Sequence, residues 1–186
     1  STSAECSASD FSPTACGFVV EFVDIITTRN MNSSNTNSGG WPSSSMYSFV
    51  NTEIYNALPV DLRNVIIDTQ VISSHGSSNS SNFTSSDKLY LLATKEIWGK
   101  EGTSNTINYD TSDNYTRQLD YYNNLGVTTN NYAGAIKTYN GSNDRWWTRS
   151  AHSYATSDFY IVRPSGDWNN VSATNTYGVA PAFRIG

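Results

Sequence analysis

Charged residues are scarce in this sequence, and basic residues most of all. Only 15% of the 186 residues are charged, and 16 acidic residues outnumber 11 lysines and arginines to give a formal net charge of −5. Proteins that bind nucleic acid need clustered lysine and arginine to contact the phosphate backbone, and proteins that adhere to anionic membranes need them too. The composition therefore argues against both kinds of partner.

Long hydrophobic runs are also absent. All the apolar stretches are short, such as Phe18–Val20 before Glu21, whereas a membrane-spanning helix needs about 20 apolar residues. We therefore expect no direct insertion into a membrane. The chain begins at Ser1 without a methionine or a signal peptide, and we expect it to be a mature or excised part of a longer precursor.

Cysteine is rare as well. The two cysteines, Cys6 and Cys16, lie in a Ser/Thr-rich leader that we assign to residues 1–16. An even number of cysteines, with no other residue near them at metal-ligand spacing, favours a local disulfide and an oxidising, extracellular or cell-surface location. Two free thiols are the alternative. The remaining residues, 17–186, are long enough for one domain with a substantial core.

Residues and motifs that would indicate catalysis are few. His75 and His152 each stand alone among small residues, without the carboxylates that a zinc site or an acid–base pair needs, and we expect both in solvated loops. Asp110, Asp113 and Asp120 come nearest to an acidic cluster, but their spacing misses the calcium-loop pattern. No Gly-x-Ser-x-Gly elbow, P-loop or dinucleotide fingerprint occurs. We expect no catalytic residue, no metal and no cofactor.

Neutral polar residues dominate instead, with 21 Asn, 28 Ser and 20 Thr. This composition is typical of disorder, but 24 aromatic residues supply large areas for burial. We therefore expect a folded domain with long polar loops, at 30–40, 75–86 and 99–113.

Apolar periodicity predicts α+β structure in the first two thirds of the chain. The segment 17–26 is β-branched and aromatic, which predicts a strand in the middle of a sheet. Helices are predicted at 42–58, at 60–67 with Leu62, Val65 and Ile66 buried, and at 113–124 between a capping Asp113 and Gly126, with Leu119 and Tyr122 facing inward. Shorter elements are predicted as strands at 69–72 and 88–93 and as a turn of helix at 95–98.

The last 42 residues predict strands at 145–149, 159–163, 168–173 and 179–185, with a turn at 164–167. Trp146 and Trp147 must point to opposite faces of a strand, and we expect one in the core and the other over a loop or groove. Arg149 is expected to be a buried, hydrogen-bonded strut. Gly178, like Gly126, suits an unusual backbone angle, and Pro181 suits a strand edge or bulge.

Aromatic residues stand beside histidine, aspartate and asparagine in these terminal strands. That mixture is typical of adaptable recognition surfaces, and sugars favour it too. An ordinary set of edge strands with half-buried aromatics is the alternative. We interpret the mixture as a ligand-binding surface for a glycan or a protein, formed by His152, Tyr154, Asp158, Tyr160, Trp168, Asn169, Asn170, Asn175 and Tyr177.

The same region carries an ordered signature: Trp146–Ala151, then Phe159–Val162 with Gly166, then Tyr177–Ile185. It resembles the ending of the bacterial DUF6273 family, a domain of unknown function from surface proteins. Upstream, Thr28–Met31, the segment 41–55 and Thr84–Leu92 look like that family's corresponding segments. The resemblance covers about residues 17–186.

That ending is also similar to C-type-lectin-like folds, which include formylglycine-generating enzymes and the variable receptors of diversity-generating retroelements. The resemblance implies a mixed α+β domain with a small antiparallel sheet, two to three short helices and long polar loops, whose C-terminal strands and loops display the ligand surface. The catalytic cysteines of the formylglycine-generating group and the calcium-binding triplet of true lectins have no counterpart here. Ala180 stands where the signature usually has arginine.

These observations predict an adhesin-like binding module of a bacterial surface protein rather than an enzyme. Two alternatives stay open, a structural subunit of a surface filament or layer and a carboxylate-dependent hydrolase that acts on a surface polymer. The likeness to diversified receptors also implies a hypervariable stretch at 152–177 over a buried scaffold of Trp147, Phe159, Ile161, Val179 and Phe183.

Overall fold

A computed structural model describes residues 18–75, 82–99 and 118–185, and these form a mixed α+β structure made mostly of short strands. The strands are Phe18–Glu21 (β1), Thr27–Asn30 (β2), Ile66–Ile67 (β3), Thr69–Ser73 (β4), Phe83–Asp87 (β5), Lys137–Tyr139 (β6), Ser142–Asp144 (β7), Trp146–Ala151 (β8), Asp158–Val162 (β9), Trp168–Ser172 (β10), Thr176–Val179 (β11) and Ala182–Ile185 (β12). Cys6 and Cys16, and hence the predicted disulfide, lie outside the described residues.

Helices are short and lie between the strands. The first, α1, is α-helical over Ser45–Phe49, π-helical over Val50–Ile54 and α-helical again over Tyr55–Ala57. The others are Val60–Val65 (α2), Thr94–Trp98 (α3) and Asp120–Asn124 (α4), with single 3-10 turns at Trp41–Ser43 and Ala133–Ala135. None of the helices in the described ranges is long and apolar enough to cross a membrane.

The largest sheet has five strands in the order β10-β9-β8-β11-β2. Neighbouring strands are antiparallel except β8 and β11, which pair in parallel. The antiparallel connections place the loops 152–157 and 173–175 at the same end of the sheet, and the loop after β2 joins them there because Asn32 N–H donates to Ala173 O at 3.0 Å. The strands predicted at 145–149, 159–163 and 168–173 are confirmed within one or two residues, whereas the segment 179–185 is divided between β11 and β12, which lie in different sheets. The loop end of the five-stranded sheet thus gathers three loops.

A three-stranded sheet, in the order β1-β12-β3, joins the first and last described strands. The prediction that segment 17–26 lies in the middle of a sheet is wrong. β1 has four residues and lies at the edge, where Phe18 is 78% exposed. The chain leaves the five-stranded sheet after β11, passes through Pro181 and enters the three-stranded sheet as β12. There β12 takes the middle position, between β1 and β3. Strands β4 with β5 and β6 with β7 form separate pairs.

Residues 88–93 are buried as expected, but they do not form the predicted strand. Tyr90 makes a single bridge to Ala182, and several of the other backbone groups bond to side chains. Asn51 Oδ1 accepts from the N–H groups of Lys88 and Leu89, and Arg149 Nη1 donates to Leu91 O. Because side chains satisfy this backbone, the segment can be buried without a neighbouring strand.

The predicted helices are confirmed in part. The helix predicted at 60–67 ends at Val65, which is 46% exposed instead of buried, because Ile66 already begins β3. Tyr122 is buried on α4 as expected, and Gly126 follows that helix with a φ of 68°, the left-handed conformation of a helix stop. Asp113, the predicted cap, lies outside the described residues.

The residues expected to be structural are enclosed. Trp146 and Trp147 are both fully buried, and their indole N–H groups donate to Ala135 O and Arg29 O at 3.1 and 2.8 Å. Neither ring borders an open groove, because both faces of β8 are covered. The five residues predicted as buried scaffold are buried: Trp147, Phe159, Ile161, Val179 and Phe183.

Gly178 has a different structural reason from the one predicted. Its φ is not in the left-handed region. A Cβ atom here would instead lie 2.6 Å from Ile25 Cδ1 and 2.7 Å from Arg145 O, so the site requires a close approach of chains. Pro181, which we expected at a strand edge or bulge, lies between β11 and β12, and its carbonyl accepts from Phe22 N–H at 3.1 Å.

Candidate functional site

Strands β9 and β10 present one polar face at the end of the sheet where the three loops meet. Residues that pair across antiparallel strands share a face, and alternate residues along a strand share it too. The pairs on this side are Asp158 with Ser172, Tyr160 with Asn170, and Val162 with Trp168. We call this side the polar face.

A hydrogen-bonded network covers the polar face. Asp158 Oδ2 accepts from Asn170 Nδ2 at 2.7 Å, and its Oδ1 accepts from Ser157 Oγ at 2.9 Å. Ser172 Oγ donates to Asn35 Oδ1 and lies 2.9 Å from Thr174 Oγ1. These residues form two neighbouring clusters of carboxylate, amide and hydroxyl groups, one around Asp158 and one around Ser172.

The loop at 152–157 connects β8 to β9 beside these clusters, and one buried amide holds it. Asn37 is fully buried, and its Nδ2 donates to Ala155 O at 2.6 Å, Asp158 O at 3.0 Å and His152 O at 3.2 Å. Its backbone N–H donates to Thr156 O at 2.9 Å. A loop with its carbonyl groups bound in this way has little freedom to change shape.

Tyr154 stands on this loop with 75% of its surface exposed. Its backbone N–H donates to His152 Nδ1 at 3.0 Å, and the imidazole lies edge-on to the Tyr154 ring, with centroids 6.5 Å apart. On its other side the imidazole stacks on Tyr160 at 5.3 Å. Tyr154 is therefore an exposed aromatic ring on an ordered support.

His152 is half-buried, so the prediction of a solvated loop histidine is wrong for this residue. Burial lowers the pKa of His152, and the nearby Asp158 carboxylate opposes that effect. Because Nδ1 accepts a hydrogen bond, the neutral ring carries its hydrogen on Nε2. The backbone of Tyr154 thus selects one tautomer.

The chain belongs to the DUF6273 family. The model of this domain of unknown function matches residues 19–186, which include every strand and helix described above except the first residue of β1. Neither curated proteins nor solved structures give a match. Membership of DUF6273 identifies the domain and leaves its activity to be argued from the site.

The DUF6273 structure brings together some of the predicted ligand residues and separates others. His152, Tyr154, Asp158 and Asn170 surround or lie on the polar face near the end where the loops meet, whereas Trp168 lies on the same face at its opposite end, paired with Val162. Asn175 lies in the turn after β10, where its N–H donates to Ser172 O at 3.0 Å.

Three of the predicted ligand residues are placed differently. Tyr160 lies on the polar face but is fully buried beneath His152, so it supports the surface without reaching it. Asn169 alternates to the opposite face of β10. Tyr177 packs on buried Trp147 at 5.4 Å, on a different strand.

Sequence reasoning missed Asn35, Asn37, Ser172 and Thr174. All are common residue types in this chain, and the loop at 30–40 consists of little else. Nothing in the sequence distinguishes Asn37, which bonds three carbonyl groups, from the asparagines around it.

Buried charges lie elsewhere in the domain. Arg149 donates to Glu96 Oε2, Leu91 O and Ile72 O, which confirms its role as a strut. Lys137 Nζ lies 3.6 Å from Glu21 Oε1 and donates to two backbone carbonyls. These pairs are enclosed and hold strands together.

Residues with metal-binding side chains do not gather in the described ranges, where no group of three or more His, Cys, Asp or Glu is placed to hold a metal ion. Of the three aspartates nearest to a cluster in the sequence, Asp120 lies in the first turn of α4. Asp110 and Asp113 lie outside the described residues.

Proposed function

We propose that this DUF6273 domain is a ligand-binding, adhesin-like module displayed outside a bacterial cell. The ligand contacts the polar face and the 152–157 loop. The observation that carries this proposal is the structure of the 152–157 loop. Asn37, from the loop after β2, holds its backbone in place, and Tyr154 on the loop is exposed. An aromatic ring that is already held on a rigid support favours binding, because less ordering is needed when the ligand arrives.

A C-type-lectin-like fold belongs to the same proposal. Its support is the terminal signature, the small sheets with short helices, and the pairing of β1 with β12 that brings the two ends of the domain together. The gathering of three loops at one end of the five-stranded sheet fits a module that displays its ligand surface there.

A carboxylate-dependent hydrolase has less support. Such an enzyme needs two carboxyl groups that face each other across a space open to substrate. Glu21 and Glu96 influence each other electrostatically, but both are largely enclosed and each already has a basic partner, Lys137 and Arg149. Asp158 is more accessible, and its oxygens bond to amide and hydroxyl groups.

The test is a binding survey with one matched pair of variants. The domain is screened against a glycan array and against an array of surface proteins and peptides. We expect at least one ligand whose binding is lost in Tyr154→Ala and kept in Tyr121→Ala. Tyr121 is a suitable control because it is also an exposed tyrosine, 59% exposed, but it lies on α4.

Two results would count against this function. If every ligand found bound Tyr154→Ala as tightly as the unchanged domain, the surface would be wrong. If the domain bound only copies of itself, detected by sedimentation over a range of concentrations, the structural subunit would be the better interpretation.

A further inference from the structure

We propose that the polar face and the 152–157 loop bind a neutral carbohydrate. This inference rests on the proposed function and names the class of ligand for the same surface. Its basis is one exposed aromatic ring, that of Tyr154, which His152 links to a carboxylate and an amide that retain hydrogen-bonding capacity: His152 contacts Tyr154, and the backbone N–H of His152 donates to Asp158 O at 2.9 Å.

The Asp158 carboxylate is only partly used by the protein. An ionised carboxylate offers about four lone-pair positions. Ser157 Oγ and Asn170 Nδ2 each occupy one of them. Asp158 is half-buried, so its carboxylate is still accessible to a ligand. Two acceptor positions are therefore left for hydroxyl donors of a ligand.

The Asn170 side chain complements this carboxylate. It uses one N–H toward Asp158, and within the described part of the chain no other group bonds its second N–H or its oxygen. A hydroxyl group both donates and accepts hydrogen bonds. Two neighbouring hydroxyls of a sugar can thus donate to Asp158 and accept from Asn170, which a ligand with only donors or only acceptors cannot do.

Tyr154 supplies the apolar part of the site. One face of a pyranose ring is lined by C–H groups, and these pack on an aromatic ring while the hydroxyls at the rim reach polar neighbours. The ring needs a fixed position for this, and the hydrogen bond from Tyr154 N–H to His152 Nδ1 helps to provide it. An exposed tyrosine beside Asn and Ser is the combination that adaptable recognition surfaces use.

The charges of the site favour a neutral ligand. Its residues are Asn35, His152, Tyr154, Asp158, Asn170, Ser172 and Thr174, which include one acidic side chain and no lysine or arginine. A sulfated, phosphorylated or carboxylated ligand would face Asp158 without a compensating cation. A protein partner would need several aromatic or arginine anchors in one patch, whereas these residues offer one exposed aromatic ring amid amides and hydroxyls.

The experiment uses methyl glycosides of neutral hexoses and N-acetylhexosamines as probes. Saturation-transfer NMR detects contact, and titration gives the affinity. We expect at least one neutral glycoside to bind with its ring protons nearest to an aromatic side chain. Tyr154→Ala should weaken binding by about fivefold, since a stacked ring contributes about 1 kcal/mol. Asp158→Asn should weaken it too, and Tyr121→Ala should leave it unchanged.

Folding of each variant is checked by thermal unfolding, so a loss of binding is counted only for a folded domain. If sialylated or sulfated glycans bound and neutral ones did not, the ligand class would be wrong. If only a protein or peptide bound in a manner sensitive to Tyr154→Ala, the carbohydrate inference would be overturned and the binding function retained. A domain that binds neutral glycosides equally well with alanine at position 154 would overturn this site.

Discussion

The imidazole of His152 accepts a hydrogen bond from the backbone N–H of Tyr154 on Nδ1, at 3.0 Å, and so links a titrating group to the exposed tyrosine of the candidate site. Only a neutral imidazole can make this bond, because a protonated ring has a hydrogen on both nitrogens. Burial already favours the neutral form by lowering the pKa of His152. Loop geometry and protonation are therefore linked.

This linkage predicts that acid destabilises the domain through His152. The folded pKa lies below the unfolded value of about 6.5, so between these two values the unfolded chain binds more protons than the folded one. Stability is fully present above the unfolded pKa and falls as pH drops toward the folded pKa. Ligand binding should weaken at lower pH than this, where His152 of the folded domain becomes protonated, because protonation releases Tyr154.

His152→Asn is the variant that tests this linkage. Asparagine does not titrate, and its Oδ1 can accept the Tyr154 N–H in place of Nδ1. We expect urea unfolding from pH 7.5 to pH 5 to show a smaller loss of stability in His152→Asn than in the unchanged protein. His75→Asn is the control, and the same flattening in both variants would contradict a specific role for His152.

The buried amide of Asn37 predicts that the isosteric substitution Asn37→Asp will strongly destabilise the domain. Asn37→Asp keeps the shape but replaces the N–H groups with an oxygen that faces the carbonyls of His152, Ala155 and Asp158. Loss of these bonds and burial of a carboxylate should cost about 3 kcal/mol in the free energy of unfolding. The matched control is Asn143→Asp on exposed β7, which we expect to be within about 0.5 kcal/mol of the unchanged protein.

Amide hydrogen exchange separates local from global effects of that change. Relative to the unchanged protein, Asn37→Asp should accelerate amide exchange more in the 152–157 loop than in the sheet. Equal stability of Asn37→Asp and Asn143→Asp would show that the amide does not hold the loop.

The sequence is a good guide to the terminal strands and a poor one to Asn37, and the reason is physical. The run of aromatic and β-branched residues Phe159–Val162 is a local property, so β9 could be predicted from the residues themselves. Asn37 acts on carbonyl groups more than 110 positions away. Which asparagine reaches them depends on how loops meet after folding, and that information is not local.

Two misplaced strands illustrate the same limit. The apolar character of 17–26 indicated burial, but β1 lies at the edge because its neighbour in the sheet, β12, comes from the other end of the chain. Residues 88–93 are as buried as predicted, yet Asn51 and Arg149 take the place of a neighbouring strand. Hydrophobicity indicates burial, whereas strand pairing depends on distant partners.

The enclosed pair of Glu21 and Lys137 predicts a stability change that depends on pH. Burial raises the pKa of Glu21 despite the opposing effects of Lys137 and Tyr122, and burial lowers the pKa of Lys137. Lys137→Met leaves Glu21 without its cation, so we expect a loss of about 3 to 5 kcal/mol at pH 7.5. The Glu21→Gln/Lys137→Met double variant should recover part of that loss, because it contains no unpaired charge.

The sign of the pH effect follows from the direction of the Glu21 shift. A carboxyl group whose folded pKa is raised stabilises the folded state below the unfolded pKa of about 4.5, and that contribution is lost as pH rises through the folded pKa. The deficit of Lys137→Met should therefore be smaller at pH 4 than at pH 7.5. Lys88→Met, which breaks an exposed pair with Asp68, should cost no more than about 1 kcal/mol. A deficit of Lys137→Met that is the same at both pH values would contradict the buried-charge explanation.

Gly178 and Gly141 together distinguish two reasons why alanine destabilises a glycine position: steric crowding of the new Cβ atom and strain in the backbone. Its Cβ would meet Ile25 Cδ1 at 2.6 Å and Arg145 O at 2.7 Å, although its φ is unremarkable, so Gly178→Ala should cost about 1 to 3 kcal/mol by overpacking. Gly141 is the opposite case, with a φ of 81° and no atom within 4 Å of the added Cβ. Gly141→Ala should cost about 1 kcal/mol through strain alone.

A second substitution distinguishes the two causes. Ile25→Val removes the Cδ1 atom that crowds position 178, so it should destabilise Gly178→Ala less than it destabilises the unchanged protein. In Gly141→Ala the effect of Ile25→Val should simply add, because the sites share no contact. Relief at position 178 should be partial, since Arg145 O is a backbone atom that Ile25→Val does not move. Strict additivity at both glycines, measured by thermal unfolding, would show that contact with Ile25 is not what requires glycine at position 178.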